Sequence, residues 1–284
     1  MSQNGLMEIN GERQRFLHFV VDETHLRIEG KEHCLLACLG FSAPHEVSAG
    51  VVDAKFEIGL RWQYEIKWGK RDLAEDDRRV LTERLFELIG TARCALVVLH
   101  EGRDKQSAAS DLVSRIIEFC SEKGIGAFSI VFDRNLVRDA KPLWALCSGS
   151  ELICLGIQEH ESEYDQLVQL ADLFAGFCGY SIRQTLNDGP SGKMAFWIEG
   201  DEDIDGLAFD LPLKDWFFLQ AMGLFPRATE ESVDGDDTWV EHNAWGSGFL
   251  VKSSMSHVAQ SALYREVVRT ELKGGNGSWI VRLE

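Results

Sequence analysis

Four acids stand in surroundings where a carboxylate calls for an explanation. Asp22 closes the apolar run RFLHFVVD and Asp133 closes AFSIVFD. Asp172 lies inside the nearly apolar stretch QLADLFAGF, and Glu65 sits among aromatic and aliphatic neighbours in YEIKW. An ionised carboxylate in such a place is costly to desolvate unless a cation or hydrogen bonds answer it. Two carboxylates about 4 Å apart repel by roughly 4 kcal/mol at an effective dielectric near 20. If the four converge, either some take up protons or a cation joins them. Mg²⁺ or Mn²⁺ suits such a set because hard cations prefer oxygen ligands. Two such ions about 3.5–4 Å apart are suited to phosphodiester cleavage. Each acid also has a plainer reading. A strand-end Asp is usually a turn residue, Glu65 can pair with Lys67 in solvent, and Glu57 is a rival for its role. Asp172 is the acid that a surface position explains least.

The elements that must carry these acids follow from hydrophobic periodicity. RFLHFVVDE reads as a strand ending at Asp22 and Glu23, and HCLLACLGFS as a buried strand. Residues 44–70 are ambiguous between helix and strand. DLAEDDRRVLTERLFELIG has helical period with an acidic first turn. CALVVLH is a strand, SAASDLVSRIIEFCSEKG a helix closed by Gly124, and AFSIVFDRN a strand. A short helix and the strand ELICLGI follow. YDQLVQLADLFAGFCGYSIRQTL reads as a long helix buried on most faces, with Ser162 and Asp165 as a loose capping box. Alternating strands and helices predict an α/β sheet flanked by helices.

Composition narrows the class. With 29 basic against 46 acidic residues the formal charge is −17 over 284 residues, which opposes non-specific attraction to phosphate backbones. Three local basic clusters run against that field: Arg61, Lys67, Lys70 and Arg71; Arg103 and Lys105; and Arg134, Arg138 and Lys141. Seven scattered cysteines without a CxxC pattern are expected to be buried thiols in a reducing cytoplasm. The polar start MSQNGLMEINGERQR carries no signal-peptide pattern, and no apolar run is long enough for a bilayer, so no membrane association is expected. Beyond Leu186 the composition changes, with NDGPSGK, two acidic stretches and five tryptophans (Trp197, Trp216, Trp239, Trp245, Trp279). The expected division is a metal-dependent domain over 15–186 and an accessory α+β region over 187–284. KGGNG near the end reads as a hairpin turn. The calcium-loop-like DEDIDGLAFDLP lacks Glu at its twelfth place, and GPSGK fails the phosphate-loop pattern.

VVDET, EIK, VFD and LVQLADLFAG together resemble the bacterial domain-of-unknown-function family numbered thirty-eight hundred. Its signatures are a strand ending Asp-Glu-Ser-Gly, a Glu-aliphatic-Lys, a strand-end Asp and a helical Gln-Leu-Ala-Asp. That pattern is similar to the ribonuclease H-like superfamily, whose acids on a first strand, a following element, a later strand and a final helix bind two metals. The resemblance implies a ribonuclease H-like mixed sheet in which Asp22, Glu65, Asp133 and Asp172 ligate two Mg²⁺ or Mn²⁺ ions. It makes Glu23, Lys67 and Gln169 supporting residues, with Gln169 on the helix face of Asp172, orienting it or the attacking water. His25 stands where the family has glycine, which is expected to alter a turn beside the site and offers an acid or base. The activity so implied is a two-metal nuclease acting on RNA, DNA or hybrid. The competing expectation is a non-catalytic protein-interaction module with a protein partner at the C-terminal region.

Overall fold

The computed structural model describes residues 6–9, 11–68 and 72–187, and beyond these the strands at 194–195, 210–211, 228–233, 236–241, 247–252 and 279–283. Side chains are described only as far as Arg183. The chain begins with β1 (Leu6–Ile9), β2 (Glu12–Ile28) and β3 (Lys31–Phe41), then α1 (Pro44–Glu57) and α2 (Glu75–Ile89). There follow β4 (Cys94–Glu101), α3 (Lys105–Glu122), β5 (Ala127–Asp133), α4 (Lys141–Ser148), β6 (Ile153–His160) and α5 (Gln166–Asn187). The later strands are β7 (Met194–Ala195), β8 (Asp210–Leu211), β9 (Ala228–Val233), β10 (Asp236–Glu241), β11 (Ser247–Lys252) and β12 (Trp279–Leu283).

The main sheet is ordered β12-β11-β4-β3-β2-β5-β6, with β1 on β2. β2, β3 and β4 are antiparallel neighbours, and β5 and β6 run parallel to β2 on its other side. The β2–β3 hairpin turns at Glu29 and Gly30, both at positive φ (50° and 81°). Glycine takes that conformation without steric cost. β11 and β12 extend the β4 edge in parallel, so they are not a hairpin; KGGNG itself lies outside the described residues. β9–β10 and β7–β8 form separate antiparallel pairs.

Alternation along the strands sorts the core into two layers. Val20, Leu35, Ala37, Leu39 and Val131 pack with α1, α2 and α5. Leu17, Phe19, Val21, Cys34, Leu36 and Phe132 pack with α3 and α4. All seven cysteines are free and six are buried, as their apolar settings predicted. No described helix is long and apolar enough to cross a membrane.

Three local expectations change. The ambiguous stretch 44–70 is helical only through Glu57, opened by Pro44 in the first turn, where a missing N–H costs nothing; α2 begins only at Glu75. β2 does not end at Asp22 but runs 17 residues to Ile28, because β3 pairs with it from His18 to Ile28. There is accordingly no turn at His25, which is an exposed strand residue paired with Cys34. Last, α5 is capped by Asp165 rather than Ser162: its Oδ1 accepts the N–H groups of Leu167 (2.9 Å) and Val168 (3.2 Å), two of the orphan donors of a helix start.

Candidate active site

β5 pairs with β2 from Phe16 to Val21 and stops there, Val21 opposite Phe132. Asp22 and Asp133 are the next residue on each strand, so they stand side by side at the rim of the parallel half. Their alternation partners Val20 and Val131 face α5, and a period of two turns both acids to that same side. Ligands of open α/β sheets characteristically bind at such strand ends.

α5 crosses this face closely because its glycines permit it. A Cβ on Gly179 would meet Thr24 Cγ2 at 2.7 Å, and one on Gly176 would meet Trp68 Cβ at 2.3 Å. Ala171, Ala175 and Cys178 are fully buried on the helix, and the close approach brings Asp172 over the rim acids.

The electrostatics show which acids share a field. Asp22 is 5% exposed, and its Oδ1 accepts the Glu23 N–H at 2.7 Å. Burial first, then Asp172 and Asp133, push its carboxyl up to about 9. Burial likewise pushes Asp172 up to about 6, opposed by Lys67 and reinforced by Asp133, Glu65 and Glu23. Asp133 is raised by burial and by Glu23, against the backbone N–H groups of Arg134 and Ser162 and the charge of Lys67. Asp172 and Asp133 are therefore near enough to act on Asp22, and Glu65 and Glu23 near enough to act on Asp172.

Glu65 reaches the cluster from the irregular segment between α1 and α2. Its Oε1 accepts from Ser162 Oγ and pairs with Lys67 Nζ, both at 3.0 Å. Glu65 is the main cause of a raised Lys67, and Asp172 and Asp133 add to it, so Lys67 is the cation facing the carboxylates. The rival Glu57 pairs with Arg84 at 3.2 Å on the exposed outer face and takes no part.

The remaining supporting candidates separate. Glu23 turns to the other face of β2 and pairs with Lys105 at the start of α3; its Oε2 is buried without a partner among the described residues. His25 faces solvent. Gln169 is fully buried, and its amide is committed elsewhere than to Asp172. Its Oε1 accepts from Lys55 Nζ (2.8 Å) and Ile66 N (3.2 Å), and its Nε2 donates to Ser162 O (2.6 Å). It thus ties α5 to both sides of the Glu65 support, correcting the expectation that it faces Asp172 or a water. The basic clusters are partly spent on ion pairs: Lys105 with Glu23, Arg103 with Glu32 and Arg134 with Glu161.

Lys55 escaped the sequence reading. It is fully buried and donates to Trp62 O (2.9 Å), Gln166 Oε1 and Gln169 Oε1, while burial pushes it down to about 8. The available signal was its place on the apolar stripe Val47, Val51, Ala54, the same anomaly that marked Asp172.

Among the described residues no group of three or more His, Cys, Asp or Glu side chains is placed so that it could hold a metal ion. The chemistry of the four acids, oxygen donors throughout, is the kind a hard divalent cation takes, and Asp22 is a carboxyl raised chiefly by burial, with Asp172 and Asp133 adding to it, a field that a cation would reverse.

No protein-family model matches the chain, so the numbered family gains no support there, and no curated protein matches it. Among solved structures the chain is similar to one described as the PCNA:RNase HII complex from Archaeoglobus fulgidus, with 13% identity over 56% of this chain and 70% of that one. The TM-score is 0.31, too low to carry any argument about fold or function.

Proposed function

We propose that residues 15–186 form a ribonuclease H-like domain that hydrolyses phosphodiester bonds with two Mg²⁺ or Mn²⁺ ions. The observation that carries this reading is the placement of Asp22 and Asp133 side by side at the sheet rim, with Asp172 of α5 near enough that both Asp172 and Asp133 raise the buried Asp22. Asp22, Glu65, Asp133 and Asp172 would hold the ions, which when bound supply Lewis acidity and a more acidic water. The order of these acids along the chain agrees with the pattern of the superfamily that the sequence resembles. Ser162 and Lys67 orient Glu65. Lys67 also brings positive charge to where a phosphate must approach carboxylates. Gln169 and Lys55 hold the irregular segment on α5, so that Glu65 is presented from a fixed support. Residues 187–284 act as an accessory region that engages a protein partner, attached through β11 at the β4 edge.

The test is cleavage of labelled single-stranded RNA, single- and double-stranded DNA and RNA–DNA hybrid by the full chain. Each is run with Mg²⁺, with Mn²⁺ and with chelator, beside Asp172→Asn. Metal-dependent cutting that the variant lacks is expected. Absence of cutting, with no metal-induced rise in thermal stability, would remove the four-acid site and leave the non-catalytic module.

A further inference from the structure

Beside the carboxylates lies a cavity of about 630 Å³ between α2, α5 and the segment that carries Glu65. Its size falls within the about 300–1,000 Å³ of small-molecule sites. Trp68 and Tyr180 line it, their rings 5.9 Å apart and tilted by 52°. Edge-to-face contacts with Phe86 (6.5 Å) and Phe177 (5.4 Å) hold Trp68 in place. Tyr180 is 38% exposed, a large aromatic surface left at an opening. Tyr64 also lines the cavity, and its hydroxyl is engaged by Asp72 Oδ1 at 2.6 Å, which leaves its ring to the cavity.

Two cations complete the lining, Lys67 and Arg78. Lys67 is the residue that pairs with Glu65, so one residue both lines the cavity and meets the acids. Arg78 is half-buried, and among the described residues its guanidinium has no hydrogen bond or ion pair. Other arginines of α2 do: Arg79 pairs with Asp76 and Glu83, and Arg84 with Glu57 and Glu87. Among the described residues the partly buried Arg78 guanidinium is left unanswered in an aromatic cavity. An aromatic wall with cations beside it matches a flat base attached to a phosphate.

We propose that this cavity is a nucleotide subsite, taking one unpaired nucleotide of a single strand. The base lies against Tyr180 and Trp68, the phosphate against Arg78 and Lys67, and the neighbouring phosphodiester reaches the acids. The choice of ligand rests on the nuclease reading. A base in a duplex cannot enter without leaving its stack, so the site selects single strands or unpaired ends.

The experiment measures binding of fluorescein-labelled single-stranded RNA, single-stranded DNA and the matching duplexes by anisotropy, in Mg²⁺ and in an Asp172→Asn background that keeps the strands intact. Nucleoside monophosphates serve as competitors. Displacement by the monophosphate identifies a site that also takes free nucleotides, and its failure identifies one that requires the strand; both support the subsite. Single strands should bind more tightly than duplexes. Tyr180→Ala and Arg78→Ala should each weaken single-strand binding about fivefold or more. Tyr180→Phe keeps the ring and should keep the affinity. Arg79→Ala removes the same charge outside the cavity and should change little. Equal loss in Arg79→Ala and Arg78→Ala, loss in Tyr180→Phe as large as in Tyr180→Ala, or equal affinity for duplex would overturn the proposal. Its failure is separable from that of the nuclease reading. Cavity-dependent binding without cleavage by the wild type removes the nuclease alone. Metal-dependent cleavage with KM unchanged by Tyr180→Ala and Arg78→Ala removes the subsite alone.

Discussion

Replacing Asp22 by Asn should make the metal-free protein more stable and, on the proposed nuclease reading, should abolish cleavage. The Asp22 carboxyl is 5% exposed and is pushed from an ordinary 3.8 up to about 9 by burial, Asp172 and Asp133. Between those values folding takes up a proton. Stability is therefore fullest below 3.8 and is lost as the pH rises toward 9. Each pH unit in that window costs about 1.36 kcal/mol, which amounts to roughly 4 kcal/mol at pH 7 if the site cannot relax. Water reaching the rim after small movements lowers the figure, and a gain of about 1–3 kcal/mol is expected for the amide, which never ionises. For a domain of this size each kcal/mol moves Tm by about 2–4 °C, so the rise should be several degrees. Thermal melts of both proteins in chelator, from about pH 5 to about pH 8, read it directly. The advantage of Asp22→Asn should widen as pH rises. An advantage that is flat with pH, or a lower Tm for the variant at the upper end, would refute the reasoning. A carboxyl this costly to the fold is the pattern expected of a functional site.

Mg²⁺ should raise Tm more at about pH 8 than at about pH 6, since Asp22 and Asp172 must be free of protons to ligate it; a shift independent of pH counts against them as ligands. Gln169→Leu takes an acceptor from Lys55 and from the Ile66 N–H and a donor from Ser162, and should cost about 2–4 kcal/mol in urea denaturation. A loss below about 1 kcal/mol would mean that these bonds do not support the Glu65 segment. Gly176→Ala drives a Cβ to 2.3 Å from Trp68 and should cost about 1–3 kcal/mol, with tryptophan emission shifted to the red. An unchanged denaturation midpoint would show that α5 is free to move away from Trp68.

The β- and α-periods of β3, β4, α3, β5 and α5 were legible in the sequence, because their apolar residues recur at the spacing each backbone dictates. Asp172 was legible for the same reason: a charge inside an apolar period carries a desolvation cost wherever the helix packs. Lys55 on the stripe of α1 gave the same signal. The length of β2 was not, since Asp22 and Glu23 read as a strand end. Continuous pairing with β3 carries β2 on to Ile28. Nor did local pattern say that Asp22 faces α5 while Glu23 faces α3, because that depends on register with β5, more than a hundred residues along the chain. Glu65 and Glu57 were indistinguishable until α1 ended at Glu57 and left Glu65 in a segment without any period. Gln169 likewise shares its spacing with Asp172 but not its environment. The cavity draws on residues from 64 to 180, which no window of sequence contains. What the chain determined by itself is which residues are costly to bury. Which of them meet was decided by tertiary structure, because burial cost is a property of one side chain and convergence is a property of the register and close packing of many.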